Sequence, residues 1–333
     1  MTTVRRSIQA LAVALLLASV TVSLSTCGGI GGSEFAGGGT GGTGISTGSV
    51  SGFGSVVMNG VHYNTNAKTK KISNGKDNSV IPDQELFRVG MVVTVRYAPG
   101  DNNAEEIEYR NNLMGPVSSM VSGDNTFEVL GQTVFVDNWG VFPPLSPDDV
   151  VEVSGFVDSA GRIRATYIER KPQPPRPGQK YEIKGFVSRL STNDNSFLLG
   201  PLPDGSVPVV TVLDAPPISG LPGGLENGMY VQVTTIDTRP SGGRITGTLV
   251  EVLSPRTDFP EKFIVDLEGL VTATPSGSGN VLIFAVEGKT VRTDDATVFA
   301  GGRTAVDIRR DVRVQVRGTE VGGVLSAVEI IFR

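Results

Sequence analysis

One histidine and one cysteine occur in 333 residues, so few side chains could do chemistry. A Ser–His or Cys–His nucleophile would need His62 beside an activated group and a carboxylate, in a formed pocket. Val61-His62-Tyr63 instead follows the turn pair Asn59-Gly60 in an alternating apolar stretch, and His62 reads as a plain strand residue. Metal sites with two or more His or Cys ligands are excluded by the count once Cys27 is set aside as an anchor. The carboxylate pairs Glu105-Glu106, Asp148-Asp149 and Asp294-Asp295 are adjacent in sequence. Neighbours on a strand point to opposite faces, so such pairs do not make a glycosidase couple. Asp124 and Asp194 lie in Asp-Asn turns, where the side chain serves the turn, and their spacing does not match a calcium-binding EF-hand loop. No catalytic residue, metal site or cofactor is expected.

Two features remain. Asn138-Trp139-Gly140-Val141-Phe142-Pro143-Pro144 is the one aromatic-rich loop and holds the only Trp. Trp139 and Phe142 there could contact oligosaccharide or a partner, or could form a lid folded onto the chain's own core. Cys27, having no second cysteine, cannot form an intramolecular disulfide and is better explained by covalent chemistry.

The setting of Cys27 bears this out. Arg5-Arg6 precedes an apolar run over 8–24, and small residues follow at Ser25-Thr26-Cys27-Gly28-Gly29. A basic start, a short apolar stretch and small residues describe a secretory signal peptide, expected over 1–26. Leu24-Ser25-Thr26-Cys27 resembles the lipobox of bacterial lipoproteins, departing from it at Thr26. The resemblance implies that Cys27 is acylated and becomes the new N-terminus, anchoring the chain in the membrane. Gly28 in place of Asp implies an outer-membrane destination, facing the periplasm or the cell surface. Ordinary cleavage after Ser23-Leu24-Ser25, releasing a soluble protein, and an uncleaved membrane anchor are the alternatives. Residues 27–47, rich in Gly, Ser and Thr, form a flexible tether with no apolar payload.

Hydrophobic residues make up 39 % of the chain and charged ones 19 %, with 43 Gly and 20 Pro. Val-rich runs broken by Gly, Pro and Asn indicate short strands and tight turns, hence an all-β protein. A net charge of −5 and only 6 % aromatics argue against a nucleic-acid partner.

The strands fall into a recurring order. Gly48-Ser49-Val50-Ser51-Gly52-Phe53-Gly54 opens a unit with the hairpin turn Asn59-Gly60, a Val-rich strand after Gly90, and a last strand at Ala104-Glu105-Glu106-Ile107-Glu108. The landmarks return from Gly115, from Gly185 and from Gly269, at spacings of roughly 60 to 85 residues that suit small complete domains. Before the third landmark of each copy a non-alternating stretch (82–87, 144–147, 220–225 and 304–308) could plug one end of a curled sheet. The expectation is four tandem small OB-like Greek-key β-barrels over 48–110, 111–171, 181–254 and 262–333. The Pro-rich stretches 172–180 and 255–261 are expected as stiff spacers, while the short link 110–112 should let the first two barrels pack together.

The stretches 48–56, 59–65 and 89–95 resemble an uncharacterised family of bacterial envelope lipoproteins with tandem β-barrel domains of unknown function. That family has no established activity, so the resemblance assigns no catalytic residue. The expected function is a non-enzymatic, lipid-anchored envelope protein whose barrels act as spacers or protein-docking modules. The alternative is an envelope polysaccharide or oligosaccharide binder using barrel faces or the Trp139 loop. Partners are then the membrane, through the anchor, and an envelope protein or glycan.

Overall fold

A computed structural model describes residues 43–333 except 122, 173–175 and 214–223. The expected signal peptide, Cys27 and the tether as far as residue 42 lie outside the described residues, as do parts of the 172–180 spacer and of the 220–225 plug. No helix among the described residues is long and apolar enough to cross a membrane.

The fold is nearly all β, built from small closed barrels in tandem. The circuit is clearest over 113–170. Leu113–Val121 pairs antiparallel with Thr126–Val129, which turns through Leu130-Gly131, both at positive φ, into Gln132–Phe135. Gln132–Phe135 runs parallel to Ile163–Arg170, which pairs antiparallel with Val150–Val157. Val150–Val157 returns to Leu113–Val121 and closes the ring. Every residue of Val150–Val157 is buried, so polar alternation is lost there.

The same circuit closes over 181–253 and over 264–332. Over 44–109 it closes through the isolated bridge Asn64↔Asn103. Each ring bends at a bulge in the same hairpin, at Arg96/Tyr97, Ser154/Gly155, Thr234/Thr235 and Arg317/Gly318. A Cβ on Gly155 or Gly318 would stand 2.1 Å from a carbonyl oxygen of the facing strand, so the bend requires glycine at both.

Short helical turns cap the first, second and last rings. Asp83–Leu86 delivers Phe87, fully buried, to the first core. Ala305–Asp307 delivers Ala305 and Ile308 to the last. In the second ring the turn falls at Trp139–Val141, ahead of the expected 144–147.

The rings join through shared strand pairings. Gly44–Gly52 begins inside the supposed tether, because Gly44 to Thr47 pair in parallel with Ile264 to Leu267 on one side and antiparallel with Tyr97 to Thr94 on the other. Ile45, Ser46 and Thr47 are buried between them, so the tether cannot extend to 47. The first and last rings therefore share one sheet. The second and third rings share another, through Leu113↔Ile183 and Met114↔Glu182, and their apolar residues form one continuous core.

The stretch 255–261 is not a free spacer but a packed strap. Arg256 donates from Nη2 to Gly155 O at 3.2 Å, and its own carbonyl accepts from Thr47 Oγ1 at 3.5 Å. Phe259 is buried in the last core. The first and second rings touch as the short link required: Val92 N donates to Ser154 Oγ at 3.0 Å, and Thr166 Oγ1 to Gly90 O at 2.6 Å.

Candidate functional site

The residues singled out by type do not converge. His62 is exposed on Val61–Tyr63, and its Nδ1 lies 3.1 Å from Ser55 Oγ, a local hairpin contact. Trp139 and Phe142 are half-buried and pack on the shared core of the second and third rings. Trp139 lies 5.9 Å from the Phe127 ring, so the Trp139 and Phe142 side chains fold onto that core, and Val141 is the loop's exposed large apolar residue. Glu106 pairs with Lys70 at 3.1 Å, and Asp149 with Arg170 at 3.0 Å. Asp148 reaches Arg239 of the third ring at 2.6 Å. Among the described residues no group of three or more His, Cys, Asp or Glu could hold a metal ion. Cys27 lies outside them.

The charged groups that are drawn together lie at the seams. Along Ile264–Ser278, Asp266 and Glu268 alternate with buried Val265 and Leu267 and face the first ring. Asp266 accepts from Gln315 Nε2 at 2.7 and 2.8 Å, from Arg317 Nε at 3.3 Å and from Asn59 Nδ2 at 3.2 Å. Burial pushes its carboxyl up to about 6, with the Arg317 guanidinium pulling the other way. Glu268 accepts from Ser49 N at 2.9 Å and pairs with Arg313 at 2.9 Å. Arg313 in turn lies over the Phe156 ring of the second ring at 4.8 Å.

A second polar centre sits where all four rings and the strap meet. Glu287 Oε1 accepts from Val157 N at 3.0 Å and Leu270 N at 3.2 Å, joining the second and last rings. Burial raises its carboxyl to about 7, against the pull of Arg256. Lys184, on the third ring, is buried beside Asn111 Oδ1 at 2.5 Å, and burial lowers its ammonium to about 8. Between the first and second rings, Tyr109 donates to Glu152 Oε1 at 2.7 Å, and Lys171 pairs with Glu152 at 3.0 Å. Burial, and then the Glu152 charge, hold the Tyr109 hydroxyl well above its ordinary value.

The cavity at this centre measures about 40 Å³, and its neighbour beneath the strap about 50 Å³. One ordered water needs roughly 10–15 Å³ by the same measure, so these spaces suit a few waters and not an organic substrate. The arrangement can fix rings against one another. Residue type alone missed Asp266, Glu268 and Glu287: Asp266 and Glu268 alternate with the core residues Val265 and Leu267 and so read as outward-facing acids, and Glu287 follows the apolar run ending at Val286.

The fold and these seams define a tandem array of small closed β-barrels whose buried charges join barrel to barrel. The family model described as "Domain of unknown function (DUF5666)" matches residues 45–108, 114–169 and 268–331, more than half of the chain. The chain belongs to this family. No curated protein matches it. The segment 181–253 falls outside the three matches, yet its strands follow the same circuit.

Proposed function

We propose that the chain is a non-enzymatic cell-envelope lipoprotein, anchored through Cys27, whose barrels form one stiff spacer and docking body. In this proposal it carries four domains of OB-like form, one per closed circuit, and the mature protein sits on the outer membrane. The observation that carries it is the use made of charge: Asp266, Glu268, Glu287 and Glu152 each bond across a seam between rings. Acids consumed in this way stiffen a body rather than activate a substrate.

Metabolic labelling with an alkynyl fatty acid tests the anchor, since label should enter the full chain and be lost in Cys27→Ser. In-cell crosslinking tests docking. A protein crosslinked at fixed stoichiometry by the wild type, and lost when the chain is released from the membrane by Cys27→Ser, supports it. Crosslinks that form equally with the released chain would refute a role that depends on anchoring.

A further inference from the structure

We propose that the groove on the first ring, between the 53–55 turn and the Asp83–Leu86 turn, binds a neutral saccharide unit. Its volume is about 310 Å³, at the lower end of the roughly 300–1,000 Å³ range of small-molecule sites. Phe53, Ser55, Asn64, Thr65, Asp83 and Gln84 line it.

The chemistry of these groups selects the ligand. Asp83 carries no free charge into the groove, because Oδ2 accepts from Thr65 Oγ1 at 2.5 Å and Oδ1 pairs with Lys71 Nζ at 3.1 Å. A charged ligand therefore meets no uncompensated partner. Asn64 and Gln84 are exposed, and among the described residues their side-chain amides make no bond. An amide offers a donor and an acceptor together, which matches the hydroxyl pairs of a sugar. Phe53 packs on the first core and also lines the groove, so a ring held in place is available to the C–H face of a pyranose. The walls are preformed, since Asp83 ties the helical turn to Thr65 and Lys71. The site lies on the first ring and not at Trp139, and its failure would leave the docking role standing.

The test titrates the full-length chain with maltose, cellobiose, lactose and N,N′-diacetylchitobiose, followed by saturation-transfer NMR and calorimetry. At least one should bind with a Kd below about 10 mM. Asn64→Ala/Gln84→Ala should weaken it about tenfold or more, as the loss of two side-chain hydrogen bonds requires. Trp139→Ala should leave the affinity unchanged. Both amides are exposed, and an unchanged melting curve separates lost binding from lost fold; if the double variant melts early, Gln84→Ala alone should still weaken binding about threefold. Absence of binding across the panel, or binding that survives removal of the amides, overturns the proposal.

Discussion

Asn59 Nδ2 donates to Asp266 Oδ1 at 3.2 Å across 207 residues of chain. Asn59 is also the first central residue of a hairpin turn, at φ 55 with Gly60 at φ 77. One residue thus sets a local turn and ties the first ring to the last. Its amide also reaches Ser46 Oγ and Thr47 O, on the strand that lies between the two rings. A Cβ on Gly48 would stand 2.5 Å from Asn59 Oδ1 and 2.8 Å from Glu268 Oε2, so glycine there leaves room for the seam.

Asn59→Gly separates the two roles, because glycine accepts the positive φ while the amide is lost. The variant should lose about 1–3 kcal/mol of stability in urea titration, the cost of leaving a buried carboxylate short of a donor. An unchanged midpoint would show that Asp266 does not need this contact.

Stability should fall as pH rises through the range in which the two buried acids titrate. Glu287 is raised from 4.5 to about 7, and Asp266 from 3.8 to about 6. In that window the folded chain keeps protons that the unfolded chain has released. The folded state is therefore favoured most below the ordinary values and loses ground up to about pH 7. Glu287→Gln keeps an acceptor for Val157 N and Leu270 N but does not titrate. It should remove about 3 kcal/mol of the fall between pH 4.5 and 7.5. A variant with the wild-type slope would contradict the placement of Glu287.

Gly90 meets the second ring backbone to backbone. It adopts φ 92, and a Cβ there would stand 2.0 Å from Thr166 O. Gly90→Ala should cost at least about 2 kcal/mol through strain and a clash that only separation of the two rings relieves. Thermal unfolding followed by circular dichroism measures it, and a loss below about 0.5 kcal/mol would contradict the contact.

Trp139, the only tryptophan, lies on the core shared by the second and third rings. Its fluorescence should change at the same urea concentration as the circular dichroism signal of the whole chain, as one cooperative body requires. A tryptophan transition well ahead of the global one would show that the Trp139 loop opens alone.

Much of the strand order was legible. Asn59-Gly60 and Gly90 mark turns at positive φ, and Gly115, Gly185 and Gly269 lie within opening strands of successive rings. The joins were not legible. Gly44-Ile45-Ser46-Thr47 is too short and too polar to show alternation, and it becomes a strand only because two others flank it. Pro255 reads as a spacer residue, yet Arg256 and Phe259 beside it are held by other rings. Asp266 and Glu268 look like solvent-facing acids until the first ring covers them. Partner choice over such distances leaves no local periodicity to read.

The shared sheet is tested most directly by hydrogen exchange in the full chain, followed at the amides of residues 44–47 and 264–267. A shared sheet requires that both stretches be protected to the same degree and lose protection together in rising urea. Exchange of 44–47 at the rate of an unstructured peptide, with 264–267 still protected, would contradict it.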